Sequence, residues 1–413
     1  MSDLFSDQSY WHRTSAPPQS PRDAMPDGAD VVVVGGGLLG VSTSYWLARG
    51  GASVVLLERA GLAAGATGRN GGFMVAGTAE SYPAAIARIG HADARAVLQL
   101  TLDNRVLLRG VLADEQIDCD YREVGNMHLA LSEQQLAAMA YAVEVGRADG
   151  FMADVIDRAA VQKLVDTPLG EEIVGGAFAE GNGTLHSARL VYGLAQATER
   201  HGARVYTNTE VTNISSDGAG VHVETSRGAL RASAAVVAVN AWTGQLVPQL
   251  HGVVTPVRGQ ILAYEPCAPV FSTSMGAELT PTGEYWQQTP DGTIVLGGCR
   301  AIAPDGEVGV RELAAHDAVQ AALDGVLPRL FPELAGLRVA QRWAGPMAFT
   351  PDHMPIADAA PGMPGVWVVG GFSGHGMPFG LMLGRLLAAA ARGERPAELA
   401  PFRLDRPSLV STH

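Results

Sequence analysis

The stretch Asp30-Val31-Val32-Val33-Val34-Gly35-Gly36-Gly37-Leu38-Leu39-Gly40 decides the fold. Four consecutive valines without polar alternation read as a strand buried on both faces of a parallel sheet. After the glycines, Leu38 to Arg49 carries Leu38, Val41, Tyr45 and Ala48 on one helical face, and Gly50-Gly51 stops it. Ser53-Val54-Val55-Leu56-Leu57 is a second apolar run that ends at Glu58. Inside this strand–helix–strand unit, Gly35 to Gly40 matches G-x-G-x-x-G, with Glu58 close to the expected spacing of about 20 residues. Gly35 permits the tight turn, Gly37 lets backbone approach a pyrophosphate, and Gly40 lets helix and strand pack closely. The helix N-terminus offers free N–H groups and partial positive charge to the phosphates. Glu58 is placed to accept hydrogen bonds from the adenosine ribose. The motif alone does not distinguish NAD from FAD.

Downstream, Gly65-Ala66-Thr67-Gly68-Arg69-Asn70-Gly71-Gly72 is too rich in glycine for a plain helix. A nicotinamide cofactor has no need of such a loop here. A flavin does, because its ribityl chain and ring must be wrapped by close backbone. Near the C-terminus a buried strand at 366–369 runs into Gly370-Gly371-Phe372-Ser373-Gly374-His375-Gly376, and a helix opens near Pro378. Its N-terminal N–H groups suit the flavin N1–C2=O edge, where negative charge develops on reduction.

The rest of the chain is consistent with a large globular enzyme. Its 413 residues suggest two or three domain-sized units. A net charge of −13 argues against a nucleic-acid partner and a polybasic membrane anchor. Cys119, Cys267 and Cys299 are few and widely spaced, so neither a disulfide framework nor a metal site is expected. No signal peptide or long apolar run is visible, and a cytoplasmic protein without membrane insertion is expected. Residues 1–28, rich in proline, read as an extended arm. Helices are expected at 91–115, 132–149, 187–201 and 308–326, and strands at 124–131, 203–207, 209–214, 220–225, 229–231, 234–239 and 253–265. A hairpin is expected from Glu284 to Gly298, turning at Asp291-Gly292.

Three features together resemble the glycine/D-amino-acid/sarcosine oxidase family of FAD enzymes, and most of all its γ-glutamylputrescine oxidase-like branch. They are Ser9-Tyr10-Trp11 ahead of the first strand, the GATGRNGG loop, and Gly371 to Gly376. The resemblance implies a Rossmann-type α/β FAD domain in discontinuous pieces (29–90, 171–250 and 343–413) and a mostly antiparallel substrate-binding sheet (91–170 and 251–342). It implies FAD contacts at Gly35, Gly37, Leu38, Leu39, Gly40, Glu58, Arg59, Ala66, Thr67, Arg69, Asn70, Gly71, Gly72, Val211, Asn240, Trp242, Gly371, Ser373, Gly374, His375 and Gly376. Trp343 to Asp352 resembles the family's W-x-G…T-P-D segment beside the flavin. Relatives place a carboxylate-binding arginine where Met347 stands, a lysine where Pro378 stands, and a flavin-linking cysteine where Gly345 stands. FAD is therefore expected to be non-covalent, and the usual grip on a small α-amino acid is missing.

Arg69, Arg258, Arg300 and Arg342 remain as candidate cations. Arg69, Tyr285, Trp286, Trp343, Met347 and His375 are the expected substrate contacts, with His375 the one candidate for a catalytic role. The expected function is FAD-dependent oxidation of a primary or secondary amine to an imine, with O2 as acceptor. A dehydrogenase that passes electrons to a partner or quinone, and a non-catalytic FAD-binding module, are the alternatives. The sole lysine, Lys163, matters because some flavin oxidases use a lysine beside the flavin.

Overall fold

The computed structural model describes residues 4–20 and 24–409. The parts of the expected arm at 1–3 and 21–23, and the chain end at 410–413, lie outside the described residues. The valine run forms the strand Gly28–Val34, paired in parallel with Val54–Leu57 on one side and Gly228–Val237 on the other. Arg204–Tyr206 and Val366–Gly370 extend this parallel layer, and Ile356–Ala359 closes one edge antiparallel. Val211–Ser216 and Val221–Thr225 form an antiparallel meander onto Gly228–Val237. Val31 to Val34 are buried, which explains why no polar residue interrupts them.

The helices Leu38–Arg49, Ser187–Arg200 and Gly380–Ala391 share one hydrophobic core beside this sheet. Leu38–Arg49 and Gly380–Ala391 approach closely because a Cβ at Gly384 would stand 2.2 Å from Ser42 Oγ. Burial of each large apolar side chain at this contact contributes about 1.5–3 kcal/mol.

A second eight-stranded sheet runs in the order Val339–Phe349, Thr255–Tyr264, Ile294–Gly298, Glu284–Gln288, Ser274–Ala277, Asn126–Ala130, Gly175–Ala179, Asp154–Asp157. Every pairing is antiparallel except Ser274–Ala277 with Asn126–Ala130. Side-chain alternation divides its residues between two environments. The back face buries Met127, Met275, Trp286 and Leu296 against Leu323 and Leu327 of the helix Asp317–Leu330 and against Phe331 just after it. The front face looks toward the first sheet's glycine loops.

Several expectations need correction. The helix expected at 308–326 is Asp317–Leu330. The segment before it runs extended because Arg258 N donates to Glu307 O and Gly309 N to Pro256 O, which ties it to the second sheet. The strands expected at 229–231 and 234–239 are one strand, Gly228–Val237. Residues 343–349 of the strand Val339–Phe349, and the strand Gly175–Ala179, fall within the expected bounds of the FAD domain but pair within the second sheet. Conversely His91–Glu115, allotted to the substrate domain, buries Val97, Leu108 and Val111 in the same core as the Gly380–Ala391 helix. The arm is not merely extended: Ser9 caps the short helix Tyr10–Arg13, and Trp11 is 1% exposed. Among the described residues no helix is long and apolar enough to cross a membrane.

Candidate active site

The glycines of the first turn take separate positions. Gly35 has φ +113°, and a Cβ there would lie 2.5 Å from Ala238 O. A Cβ on Gly40 would strike Gly35 O at 1.9 Å, so this residue lets helix and strand pack. A Cβ on Gly37 meets only Thr67 Oγ1, at 3.3 Å, because its free side opens on a cavity. Glu58 holds the turn from below: its carboxylate accepts from Gly36 N at 2.6 Å and Ala60 N at 2.8 Å. Burial pushes the Glu58 carboxyl above its usual range, and these two N–H bonds oppose that rise.

The cavity starts at this turn and has a volume of about 1290 Å³. One end is lined by Val211, Asn240 and Trp242, with the Arg59 guanidinium 4.0 Å from the Trp242 ring. The middle passes Leu38, Leu39, Ala66, Thr67, Asn70 and Gly71. Here the loop forms a 3-10 turn at Ala66–Arg69, and Thr67 Oγ1 accepts from Leu38 N at 3.2 Å. The loop is held from both sides. Gln287 Nε2 donates to Gly71 O at 2.6 Å and Gly72 O at 3.0 Å, while Trp11 Nε1 donates to Asn70 O at 2.6 Å.

Beyond the loop the cavity reaches Ser373, Gly374, His375 and Gly376. Gly371 and Gly374 take φ +73° and +84°, and Ser373 takes +51°. Ser373 N donates to Ala348 O, and Asn240 Oδ1 accepts from Gly371 N. Ser373 Oγ is buried with no protein partner. A buried hydroxyl without a partner is costly unless a ligand satisfies it. Together with the open side of Gly37, it fits a cofactor lying along the whole groove. His375 Nε2 is 3.1 Å from Val75 O, and burial lowers the imidazole's affinity for a proton, so it is neutral near pH 7.

The front face of the second sheet supplies the remaining wall. Tyr285 lies inward, its ring over Gly297, where a Cβ would come within 2.6 Å of it. Burial pushes its phenol up to about 12, so it keeps its proton. Phe73 packs edge-on against it at 5.6 Å. Met347, Phe349, His128 and Pro378 also line this end.

The expected contacts therefore divide. Trp286 does not reach the cavity: it is one residue from Tyr285, so alternation sends it into the back core against Phe271 and Phe331. Trp343 is buried beneath the loop, its Nε1 donating to Arg69 O at 3.0 Å, and supports the loop rather than walling a substrate. Arg69 lines the cavity, but its guanidinium is spent on Ala64 O, Ala344 O and Asp7 O. Gly40, Gly72 and Gly371 serve close packing behind the lining. Arg258 is paired with buried Glu307, and Arg342 with Asp324 and Gln320, both away from the cavity. Lys163, the sole lysine, does not line the cavity. Sequence reasoning passed over Gln287 and His128. Alternation from Tyr285 and along Asn126–Ala130 is the signal that assigns both to the front face.

A family model described as FAD dependent oxidoreductase matches residues 30–390. The chain is 29% identical over 400 residues to the gamma-glutamylputrescine oxidoreductase of Escherichia coli, covering 94% of this chain and 89% of that one. It is 27% identical over 394 residues to human mitochondrial sarcosine dehydrogenase, covering 91% of this chain and 41% of that one. The crystal structure of glycine oxidase from Geobacillus kaustophilus superposes with a TM-score of 0.81 at 23% identity, covering 92% of this chain and 99% of that one.

Proposed function

The chain belongs to the DAO family of FAD-dependent oxidoreductases, which act on amines or amino acids, and on that premise we propose that it oxidises a primary or secondary amine to an imine, with FAD held non-covalently and O2 as the acceptor. The observation that carries this reading is the continuity of one cavity from the Gly35–Gly40 turn, beneath the GATGRNGG loop, to Tyr285, Met347 and His375. Bound FAD supplies a two-electron acceptor for the electron pair and proton of the substrate C–H. The proton lost from nitrogen goes to water, and hydrolysis of the imine gives a carbonyl compound and the freed amine. Glu58, Thr67 and the Leu38 N-terminus are assigned to the adenosine and phosphates, and Ser373 and His375 to the flavin ring.

The chain's own contribution to the chemical step is orientation and exclusion of water. Tyr285, Phe349 and Met347 form apolar walls that favour the neutral amine, the form with a lone pair to release. Neutral His375 is committed to Val75 O and is read as a positioning group, not as a base. Among the described residues no cysteine lines the cavity, in keeping with flavin that is not covalently linked.

The position of Lys163 outside the cavity favours a second reading, in which electrons pass to a partner or quinone. Mixing the yellow protein with an amine panel without air, then admitting air, separates the two. Bleaching that O2 reverses supports the oxidase, and bleaching that persists in air supports the dehydrogenase. No bleaching with any amine or amino acid would overturn both and leave a binding module. Acid precipitation of the same preparation should leave the flavin in the supernatant.

A further inference from the structure

The GATGRNGG loop does not turn all of its glycines to the cavity. Gly65 and Gly71 line it, but Gly68 and Gly72 do not. These two are crowded by the arm, among other neighbours. A Cβ on Gly68 would stand 2.5 Å from His12 Nε2, and one on Gly72 would stand 2.8 Å from Trp11 Cζ2. Half of the loop's small residues therefore make room for the N-terminal segment.

The arm also occupies the loop's carbonyls. Ser9 Oγ donates to Gly68 O, Trp11 Nε1 to Asn70 O at 2.6 Å, and His12 Nε2 to Ala63 O at 3.1 Å. The last bond assigns the imidazole hydrogen to Nε2, since a carbonyl oxygen only accepts. In return, Arg69 Nη2 donates to Asp7 O. Ser9 and Trp11 are buried, so water does not compete for their bonds. The other side of the arm is fastened to the second sheet. Ser6 N donates to Arg342 O at 2.9 Å, Gln341 Nε2 to Gln8 O, and Tyr10 OH to Asp291 Oδ2 at 2.8 Å. The arm thus straps the outer side of the loop to the strand Val339–Phe349 and to the hairpin turn at Asp291.

We infer that the arm is part of the FAD site: Ser9, Trp11 and His12 are positioning residues that hold the loop in its cofactor-binding shape, so that arm docking and FAD binding favour each other. This rests on FAD as the cofactor and not on the choice of amine or acceptor. A glycine-rich loop loses much conformational freedom when it is ordered. The arm orders it from outside, and FAD would order it from the cavity, where Ala66, Thr67 and Asn70 are presented. Whichever binds second meets a loop already ordered and binds more tightly. The arm also keeps the oxygens of Ala63, Gly68 and Asn70 on its own side, and a carbonyl turned into the groove would repel phosphates. Coupling of this kind is reciprocal.

The test uses the full chain with and without FAD and needs no turnover. Arg13 is exposed at the end of the short helix Tyr10–Arg13. A protease needs extended chain, so trypsin cuts there when the arm lifts. The wild-type apoprotein should lose residues 1–13 at least about tenfold faster than the FAD-saturated protein, with the rest of the chain intact. Trp11→Phe keeps a ring beside Gly72 but removes the N–H from Asn70 O. It should raise the Kd for FAD about tenfold in titrations of the apoprotein. A purely structural Trp11 would lower the melting temperatures of both forms alike and leave Kd unchanged. Equal cleavage rates in the two wild-type forms, or wild-type FAD affinity in Trp11→Phe, would overturn the inference. If Trp11→Phe does not fold, Ser9→Ala, which removes the hydroxyl from Gly68 O, carries the same expectation, and the protease comparison needs no variant. Failure of every amine to reduce the flavin strikes the amine-oxidation reading instead and leaves these measurements standing.

Discussion

Glu58 and Gly37 illustrate how much a single residue's role depends on what surrounds it. Glu58 was legible from spacing, but its two hydrogen bonds to Gly36 N and Ala60 N were not. Its carboxylate braces the turn as well as facing the adenosine. Glu58→Ala should therefore weaken FAD binding by about 1.5–3 kcal/mol, the range for hydrogen bonds to a charged group. Gly37→Val should weaken it further while barely moving the melting temperature of the apoprotein, because a Cβ there meets only Thr67 Oγ1 and this side of the turn opens on the cavity. FAD titration of the two apoproteins checks both, and wild-type affinity in either variant would misplace the adenosine half. The arginines had no such signal. Arg69, Arg258 and Arg342 look alike in sequence, and their partners Asp7, Glu307 and Asp324 come from other segments of the chain.

Among the elements, the arm departs most from its sequence reading. Its prolines suggested an extended tail, yet Trp11 is buried and His186 ties it to the helix Ser187–Arg200. His186 Nδ1 accepts from Arg189 N as the helix cap, and its Nε2 is 3.0 Å from Thr14 Oγ1. Thr14 Oγ1 itself donates to Tyr10 O, so the imidazole is assigned as the neutral tautomer with hydrogen on Nε2. Burial first, then Arg189, lowers its pKa to about 4. The folded state thus binds its proton less readily than the unfolded chain, whose ordinary value is about 6.5. The contribution is fully present above about pH 6.5 and is lost as pH falls toward 4. The loss should be on the order of 3 kcal/mol. His186→Asn keeps a capping oxygen but cannot titrate there. Urea unfolding at pH 7.5 and 4.5 should show a smaller loss for the variant than for wild type. Equal losses would sink the account.

For the whole molecule, the cavity lies where the first sheet's glycine loops meet the front face of the second sheet. It runs past Tyr285 to His128, Gln135 and Met139, space that a two-carbon amino acid does not fill. Met347 and Pro378 stand where relatives are expected to present cations, so a carboxylate next to the reacting carbon would be buried without a partner. That should cost several kcal/mol. Glycine and sarcosine should have specificity constants at least about a hundredfold below those of longer amines. Steady-state assays across chain length decide this. Efficient turnover of sarcosine would show that a cation reaches the pocket from another direction.

The sequence by itself determined the dinucleotide-binding unit, the family and the glycine loops at its centre. These depend on local rules: an all-apolar run makes a buried strand, glycine permits positive φ and close approach, and the order of motifs fixes which pieces belong to one sheet. It also predicted the Glu284–Gly298 hairpin, but left open which of Tyr285 and Trp286 faces the site. The second sheet decided that, by burying Trp286 against Phe271 and Phe331. Tertiary structure alone decided that Trp343 supports the loop, that the arm seals it, and that Arg258 and Arg342 are spent on Glu307 and Asp324. Each of these depends on partners distant in sequence, and a side chain's charge or ring carries no record of which partner folding will bring to it.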